Sequence, residues 1–277
     1  MKIRLAALLL TSTLAFAADP LWFIQASDPQ FGMFTNNADF QQETANWEFE
    51  VANFNRLHPA FVVVTGDLTN KAADAAQMAE FARINRELNP SIHLYKVPGN
   101  HDQTNDPTPE TLAAYRKNYG PDYYSFREPG LYGIVLNSTI LKSPAHVPEE
   151  LAKEKQWLEA ELPKAAGSGD TIVVFMHHPP YVSSADEPSG ENLPPEIREW
   201  LLDLLDRYSV LYVFAGHLHK NAHSLDGDLE IFVTSASGKP LGDDPSGFRI
   251  AELSGGSIVN QFYGLGQIPA QLPALVK

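Results

Sequence analysis

Residues 97–102 read Val97-Pro98-Gly99-Asn100-His101-Asp102 and follow the short apolar run Ile92 to Lys96. The run predicts a β-strand, and the glycine predicts a turn where the strand ends. An amide, an imidazole and a carboxylate in three consecutive positions are not needed to pack a hydrophobic core. This stretch therefore predicts a functional site at the end of a strand.

Four other apolar runs also end in polar side chains. Residues 21–26 lead into Asp28 and Gln30, 61–65 into Asp67, 171–176 into His177 and His178, and 210–215 into His217 and His219. In open sheets covered by helices, ligands bind beyond the carboxyl ends of the strands. We therefore expect these strand ends to converge on one place.

The order of the predicted elements indicates an α/β fold. Amphipathic segments predict helices at 44–57, 70–88, 108–118, 148–162 and 194–208. Residues 123–127 and 131–137 predict a hairpin, 165–169 predict a break after the preceding helix, and 181–193 predict a flexible loop over the strand ends. Beyond residue 219 we expect only short strands, at 229–234, 248–253 and 258–263. This order predicts two mixed sheets flanked by helices, a four-layer αββα sandwich.

The composition limits what the protein can be. The chain has 277 residues, is 44% hydrophobic, carries a formal net charge of −14 and contains no cysteine. Residues 18–277 show no repeat and no shift in composition, so we expect a single domain with a full-sized core. The lack of cysteine excludes disulfides and thiolate metal ligands. The negative charge disfavours nucleic acids and anionic membranes as partners.

Residues 1–17 have the pattern of a secretory signal peptide. Lys2 and Arg4 flank the start of a short apolar segment, and the small residues Ala15 and Ala17 predict cleavage after Ala17. An uncleaved anchor is disfavoured because the apolar segment is shorter than the ~20 residues of a membrane helix. We therefore expect a secreted or periplasmic protein.

The polar groups at the strand ends are oxygen and nitrogen ligands without sulfur, a set that suits divalent ions such as Mn, Fe or Zn. A catalytic ion typically takes three protein ligands and water. The seven candidate ligands are therefore about right for two ions: Asp28, Gln30, Asp67, Asn100, His177, His217 and His219.

Five motifs resemble, in order and spacing, the signature of the calcineurin-like metallophosphoesterase superfamily: Asp28-x-Gln30, Gly66-Asp67, Gly99-Asn100-His101-Asp102, His177 and Gly216-His217-x-His219. Residues 26–32 are also similar to the CSTP-type serine/threonine phosphatase branch. The resemblance implies that Asp67 bridges two metal ions. It implies a first site of Asp28, Gln30 and His219, and a second site of Asn100, His177 and His217.

The same resemblance implies roles for the remaining polar residues. His101 is expected to be the catalytic imidazole that gives a proton to the leaving oxygen, with Asp102 as its orienting partner. Asn100 and His178 are expected to contact the phosphoryl oxygens. The attacking group is expected to be a hydroxide, generated from water whose pKa the two ions lower.

Gln30 departs from the family pattern, which is Asp-x-His at this point. An amide oxygen is a harder and weaker ligand than an imidazole nitrogen, so the first site should favour Mn or Mg over Zn or Fe. The alternative interpretation is that Gln30 binds no metal and that the first site is weak or empty.

The leading hypothesis is a phosphomonoesterase that acts on a phosphoprotein, a nucleotide or a small phosphate ester. One alternative is a phosphodiesterase acting on cyclic nucleotides or glycerophosphodiesters. A second alternative is a non-catalytic relative that holds phosphate or metal. The intact pair His101 and Asp102 favours an enzyme, whereas Gln30 slightly favours the binding protein.

Overall fold

The computed structural model describes residues 19–275, so the predicted signal peptide lies outside the described residues. These residues form two β-sheets, and the first sheet has the strand order β11-β10-β1-β2-β3. These strands are β1 (Leu21–Ala26), β2 (Phe61–Thr65), β3 (His93–Val97), β10 (Gly247–Ser254) and β11 (Ser257–Gly264). The strands β1, β2 and β3 are parallel, and β10 runs antiparallel to β1.

The second sheet has the order β4-β5-β6-β7-β9-β8. Its strands are β4 (Tyr124–Glu128), β5 (Leu131–Val135), β6 (Thr171–Phe175), β7 (Tyr212–Ala215), β8 (Ala222–Asp226) and β9 (Leu229–Val233). The four central strands are parallel, and the two edge strands β4 and β8 are antiparallel to their neighbours. The predicted hairpin of β4 and β5 is present.

The described part of the chain, residues 19–275, contains seven α-helices: α1 (Gln41–Leu57), α2 (Ala75–Asn85), α3 (Asn100–Gln103), α4 (Pro109–Tyr119), α5 (Ser138–Lys142), α6 (Pro148–Ser168) and α7 (Pro195–Arg207). A short 3-10 helix follows at Leu265–Gln267. None of the helices between residues 19 and 275 combines the length and the apolar character that a membrane crossing needs.

Within residues 19–275, three large buried clusters lie between the four layers, beside a small fourth cluster of Leu112, Ile140 and Val147. The inner cluster lies between the sheets, where Phe23 and Phe61 stack with ring centroids 4.8 Å apart and Phe214 meets Phe23 edge-on. Trp47 and Phe81 belong to a second cluster, which packs α1 and α2 on the first sheet. The third cluster packs α6 and α7 on the second sheet. The predicted four-layer αββα sandwich is therefore confirmed.

Several predicted boundaries differ from the structure. Helix α1 begins three residues before its predicted start, and α2 ends three residues before its predicted end. Helix α6 continues through most of the predicted break at 165–169, where Ala165 is fully buried in the core, and ends at Ser168; Gly169 follows with a left-handed φ of +79°. Helix α2 begins only after Asp74, whose side chain accepts hydrogen bonds from the amides of residues 76 and 77. Residues 70–74, which the sequence places in this helix, instead form part of the loop after β2.

Candidate metal centre

The carboxyl ends of five parallel strands meet at one edge of the sandwich. Strands β1, β2 and β3 deliver residues from the first sheet, and β6 and β7 deliver residues from the second. The loops that follow these strands bring together all seven predicted metal ligands. The site therefore lies where the two sheets face each other.

The backbone at these loops takes up a conformation that most side chains avoid. Asp28, Gln30, Asp67, His217 and His219 have φ values of +50°, +40°, +50°, +72° and +51°. A non-glycine residue at positive φ costs free energy and persists only where the surroundings enforce it. Five of them among the predicted ligands indicate that the loops are shaped by the demands of a site.

The first ligand group consists of Asp28, Asp67 and His219. One ligand atom from each lies within 4.8 Å of the others. The Oδ1 atom of Asp28 is 3.3 Å from Nε2 of His219, and all three residues are buried. Such a set of two carboxylates and one imidazole can hold a divalent ion.

The second ligand group is built around His177. Its Nε2 atom lies 2.9 Å from Oδ1 of Asn100 and 3.2 Å from Nδ1 of His217. The same Nε2 atom is 3.4 Å from Oδ2 of Asp67. Asp67 thus contacts both groups, which is the position that a bridging carboxylate requires.

The outer nitrogen of each imidazole is held by an acceptor. Nδ1 of His177 donates to the carbonyl oxygen of Thr65 at 2.8 Å, and Nδ1 of His219 donates to the carbonyl oxygen of Lys239 at 2.5 Å. These hydrogen bonds leave the opposite ring nitrogen free of a proton when a metal binds. They therefore orient the ring toward the centre of the site.

Two buried oxygen atoms in the site have no hydrogen-bond donor. They are Oδ1 of Asp28 and Oε1 of Gln30, whereas Nε2 of Gln30 donates to Oδ1 of Asn70 at 3.2 Å. A buried polar atom without a partner is costly, and a cation would satisfy both of these oxygens. The donor set therefore fits two divalent ions, and Gln30 has the orientation of an oxygen ligand.

The electrostatics of the first ligand group match a cation site. Burial alone would raise the pKa of Asp28 and of Asp67, but the neighbouring imidazoles lower both pKa values overall. Burial opposes charge on His177, yet the two carboxylates raise its pKa to about 9. The metal-free site thus carries protons on imidazole nitrogens that a metal would displace.

Two other imidazoles behave in the opposite way. Burial and the proximity of His177 lower the pKa of His217 to about 4. Burial and the proximity of His217 hold the pKa of His178 well below its usual value. A neutral imidazole is the form that binds metal ions, so His217 is suited to that role without first losing a proton.

His101 and Asp102 do not form the predicted pair. Nδ1 of His101 donates to the carbonyl oxygen of Asn70 at 2.8 Å. The carboxylate of Asp102 instead accepts from the amides of Thr69 and Gly99 at 3.1 and 2.9 Å. The prediction that Asp102 orients His101 is therefore wrong. Asp102 instead links the loop after β2 to the loop after β3, and the carbonyl group of Asn70 orients the imidazole.

A cavity of about 680 Å³ opens above the ligand groups. Of the predicted site residues, Asp28, Asp102 and His177 are buried and do not line the cavity, and the following line it: Gln30, Asp67, Asn100, His101, His178, His217 and His219. His178 is buried and its Nδ1 lies 3.1 Å from Oγ of Ser138. The cavity can therefore accept a substrate next to both ligand groups.

The cavity also contains residues that the sequence reasoning missed. Lys142 and Glu191 line the wall, and Glu191 contacts His217. Neither residue follows a predicted strand, so the strand-end pattern gives no signal for them. The carbonyl groups of Thr65, Asn70 and Lys239 are also invisible to such a pattern, because every residue has a carbonyl group.

Known proteins resemble this chain in sequence and in fold. Residues 21–221 match the family described as Calcineurin-like phosphoesterase. The serine/threonine-protein phosphatase CPPED1 of Homo sapiens is 34% identical over 267 residues, which cover 90% of this chain and 85% of that protein. CPPED1 of Danio rerio is 32% identical over 266 residues, with coverage of 90% and 86%. A solved dimetal phosphatase from Danio rerio has a TM-score of 0.69 at 16% identity and covers 89% of this chain and 97% of that chain.

Proposed function

Because the chain belongs to the calcineurin-like phosphoesterase family, and is thus a hydrolase of phosphate esters, we propose that it is a two-metal phosphomonoesterase. The family predicted from the strand-end motifs is confirmed. The observation that carries the two-metal proposal is the position of Asp67, whose carboxylate contacts one ligand group on each side. The relatives named as serine/threonine-protein phosphatases support a monoester substrate.

Two sets of side chains would bind the two ions. Asp28, Gln30 and His219 would hold the first ion, while Asn100, His177 and His217 would hold the second, and Asp67 would touch both. When bound, two divalent ions lower the pKa of water and neutralise negative charge on a phosphoryl group. Asp67 and Asp28 are suited to binding these ions because their pKa values are lowered in the folded chain, so that both carboxyl groups are ionised at neutral pH.

His101 is the residue we assign to proton transfer. Its Nδ1 atom is held by the Asn70 carbonyl group, so Nε2 is the atom that can carry a proton to the leaving oxygen. A positioned general acid typically accelerates such a step about 10²–10⁴-fold. His178 would bind a phosphoryl oxygen, since its Nδ1 is occupied by Ser138 and its ring borders the cavity.

Manganese or magnesium is the metal that the donor set favours. The first ion would meet the carboxylate oxygens of Asp28 and Asp67 and a single imidazole, that of His219. The amide oxygen of Gln30 would be added to this set, and oxygen ligands favour harder ions. We expect Gln30→His to shift the metal content of protein from defined medium toward Zn or Fe. An unchanged metal ratio would show that position 30 is not a ligand.

The substrate assignment is tested by comparing mono- and diesters. The Mn-loaded protein should hydrolyse p-nitrophenyl phosphate and a phosphoserine peptide faster than bis(p-nitrophenyl) phosphate, and Asp67→Asn should abolish turnover. Faster cleavage of the bis-ester would instead make the protein a phosphodiesterase. Binding of two Mn ions without turnover of either class would make it a non-catalytic metal-binding relative.

We also propose that the protein works outside the cytoplasm. The support is the pattern of residues 1–17, with two basic residues, an apolar segment and small residues before the predicted cleavage point. Mass spectrometry of the exported protein should find a chain that begins at Ala18. A chain that retains residues 1–17 in the cytoplasmic fraction would contradict the proposal.

A further inference from the structure

The loop of residues 181–193 is held above the metal centre by several hydrogen bonds. The guanidinium of Arg198, which is 1% exposed, donates to four carbonyl oxygens of residues 180–193, among them those of Pro180 and Leu193, both at 2.9 Å. The carboxylate of Glu187 accepts from the amides of Val182 and Ser183 at 2.7 and 2.9 Å. These contacts give the loop a defined path over the strand ends.

Glu191 sits between two further attachment points of this loop. Lys142 donates through Nζ to the carbonyl oxygens of Gly190 and Asn192, the residues on either side of Glu191. The amide of Gly190 also donates to Oδ1 of Asn192 at 3.0 Å. The backbone on both sides of Glu191 is therefore fixed, which fixes the direction in which its side chain leaves the loop.

The Glu191 carboxylate contacts a predicted metal ligand. Its Oε2 atom accepts from Nε2 of His217 at 2.8 Å, while Nδ1 of His217 faces His177 at 3.2 Å. The Glu191 side chain is 74% exposed, so the contact with His217 is not a by-product of core packing. Backbone carbonyl groups hold the outer nitrogens of His177 and His219, whereas a side chain holds that of His217.

We propose that Glu191 is a positioning residue for the second metal ion. By accepting a hydrogen bond from Nε2–H, it holds His217 in the tautomer whose Nδ1 lone pair is free to bind an ion, and its negative charge would make the imidazole a stronger ligand. This inference rests on the two-metal centre of the proposed function, but not on its reaction. It makes the affinity of the second ion depend on the 181–193 loop.

Metal titrations of three variants of the mature chain test this inference. Losing the partner of a metal-bound imidazole typically weakens metal binding about 10–100-fold. In Mn titrations by calorimetry, Glu191→Ala should weaken one of the two sites by that factor and leave the other unchanged. Glu191→Gln keeps an oxygen acceptor and should recover most of the affinity. Asp186→Asn removes one charge from the same loop and should bind both ions like the unmodified chain.

The outcomes separate this inference from the proposed function. Unchanged affinity at both sites of Glu191→Ala, or an equal loss in Asp186→Asn, would overturn the role of Glu191. An unmodified chain with a single Mn site would overturn both this role and the two-metal proposal. Two normal sites without any hydrolysis would overturn the reaction alone, because the titration contains no substrate. The metal-free unfolding temperature of Glu191→Ala should equal that of the unmodified chain, since the side chain is exposed.

Discussion

The Asp67 carboxylate lies between His101, the proposed proton-transfer residue, and His177, a proposed metal ligand. Its Oδ1 atom accepts from the backbone amide of His101 at 2.8 Å, and its Oδ2 atom faces His177. The side chain of His101 is held separately, by the carbonyl group of Asn70. The orientation of the Asp67 carboxylate therefore depends on the backbone of residue 101 and not on its imidazole.

The first prediction follows from this separation. His101→Ala should lower kcat for an alkyl phosphate about 10²–10⁴-fold, because the leaving alkoxide then lacks a proton donor. The Mn content should stay at the level of the unmodified protein, since an alanine amide still donates to Asp67. p-Nitrophenyl phosphate, whose leaving group needs little protonation, should lose less rate. Full turnover of the alkyl phosphate would contradict the assignment of His101.

A second prediction concerns a buried carboxyl group outside the metal centre. Glu50 on α1 is fully buried, and its Oε2 accepts from Oγ of Ser237 at 2.7 Å. Burial raises its pKa to about 8, against an ordinary value of 4.5. Between these two pH values the folded chain binds more protons than the unfolded chain, so this group lowers the free energy of unfolding as pH rises.

Glu50→Gln should remove this pH dependence. At pH 8 the variant should be more stable than the unmodified chain by about 4 kcal/mol, because the folded variant does not have to hold a carboxyl group whose pKa is raised by burial. Near pH 4.5 the two proteins should be about equally stable, since Glu50 is then protonated in the folded chain and about half protonated in the unfolded chain, a difference of roughly 0.4 kcal/mol. Urea unfolding at the two pH values provides the measurement. A constant difference at both pH values would contradict the assigned pKa.

At the residue scale the sequence predicts ligand types better than hydrogen-bond partners. Asp28, Asp67 and the histidines follow apolar strands, so their position at one edge could be derived from the pattern. The partner of His101 could not be derived, because it is the backbone carbonyl of Asn70. Glu191 lies 26 positions before His217, and only the folded loop brings the two together.

At the scale of elements, the turn after β7 depends on close packing against the turn after β1. A Cβ atom added to Gly216 would lie 1.9 Å from Oγ of Ser27 and 2.7 Å from Oδ2 of Asp28. These two turns carry His217 and Asp28, which also share a hydrogen bond from the His217 amide to the Asp28 carboxylate at 3.1 Å. Glycine is therefore required by the approach of the two loops.

Gly216→Ala should disturb both stability and metal binding. Overpacking at a buried contact typically costs about 1–3 kcal/mol, and displacement of Asp28 should weaken the first metal site. Gly167→Ala is the matched control, because its added Cβ meets no atom within 4 Å inside helix α6. That substitution should stabilise the chain by about 0.5–1 kcal/mol through helix propensity. Equal stability and Mn affinity for Gly216→Ala and the unmodified chain would contradict the packing argument.

Elements with strong periodicity were predictable, whereas boundaries set by tertiary contacts were not. Helix α7, predicted at 194–208, spans Pro195–Arg207, because its apolar residues recur at helical spacing. Helix α6 passes the predicted break because burial of Ala165 outweighs the small helix propensity of Gly167. Strand β8 was missed because it is a largely polar edge strand without alternating apolar residues.

At the scale of the whole molecule, the candidate metal centre takes its residues from both sheets. Asp28, Asp67 and Asn100 follow strands of the first sheet, and His177 and His217 follow strands of the second. Ions bound by both sets would hold the sheets together at this edge. Metal binding should therefore stabilise the folded chain against unfolding.

This stabilisation is measurable as a shift in thermal unfolding. An Mn concentration of 100 times Kd contributes about 2.7 kcal/mol for each site. For a chain of this size such a change should raise Tm by roughly 5–10 °C per site. Asp67→Asn should show a much smaller shift, because Asp67 contacts both ligand groups. Equal Tm values in EDTA and in Mn would contradict the connection between the sheets.

The most direct test of the two-metal centre is anomalous diffraction at the Mn absorption edge from crystals grown with excess Mn. We predict two anomalous peaks per chain, one on each side of the Asp67 carboxylate, with His219 beside the first and His177 beside the second. A single peak, or no peak between the strand ends, would contradict the account.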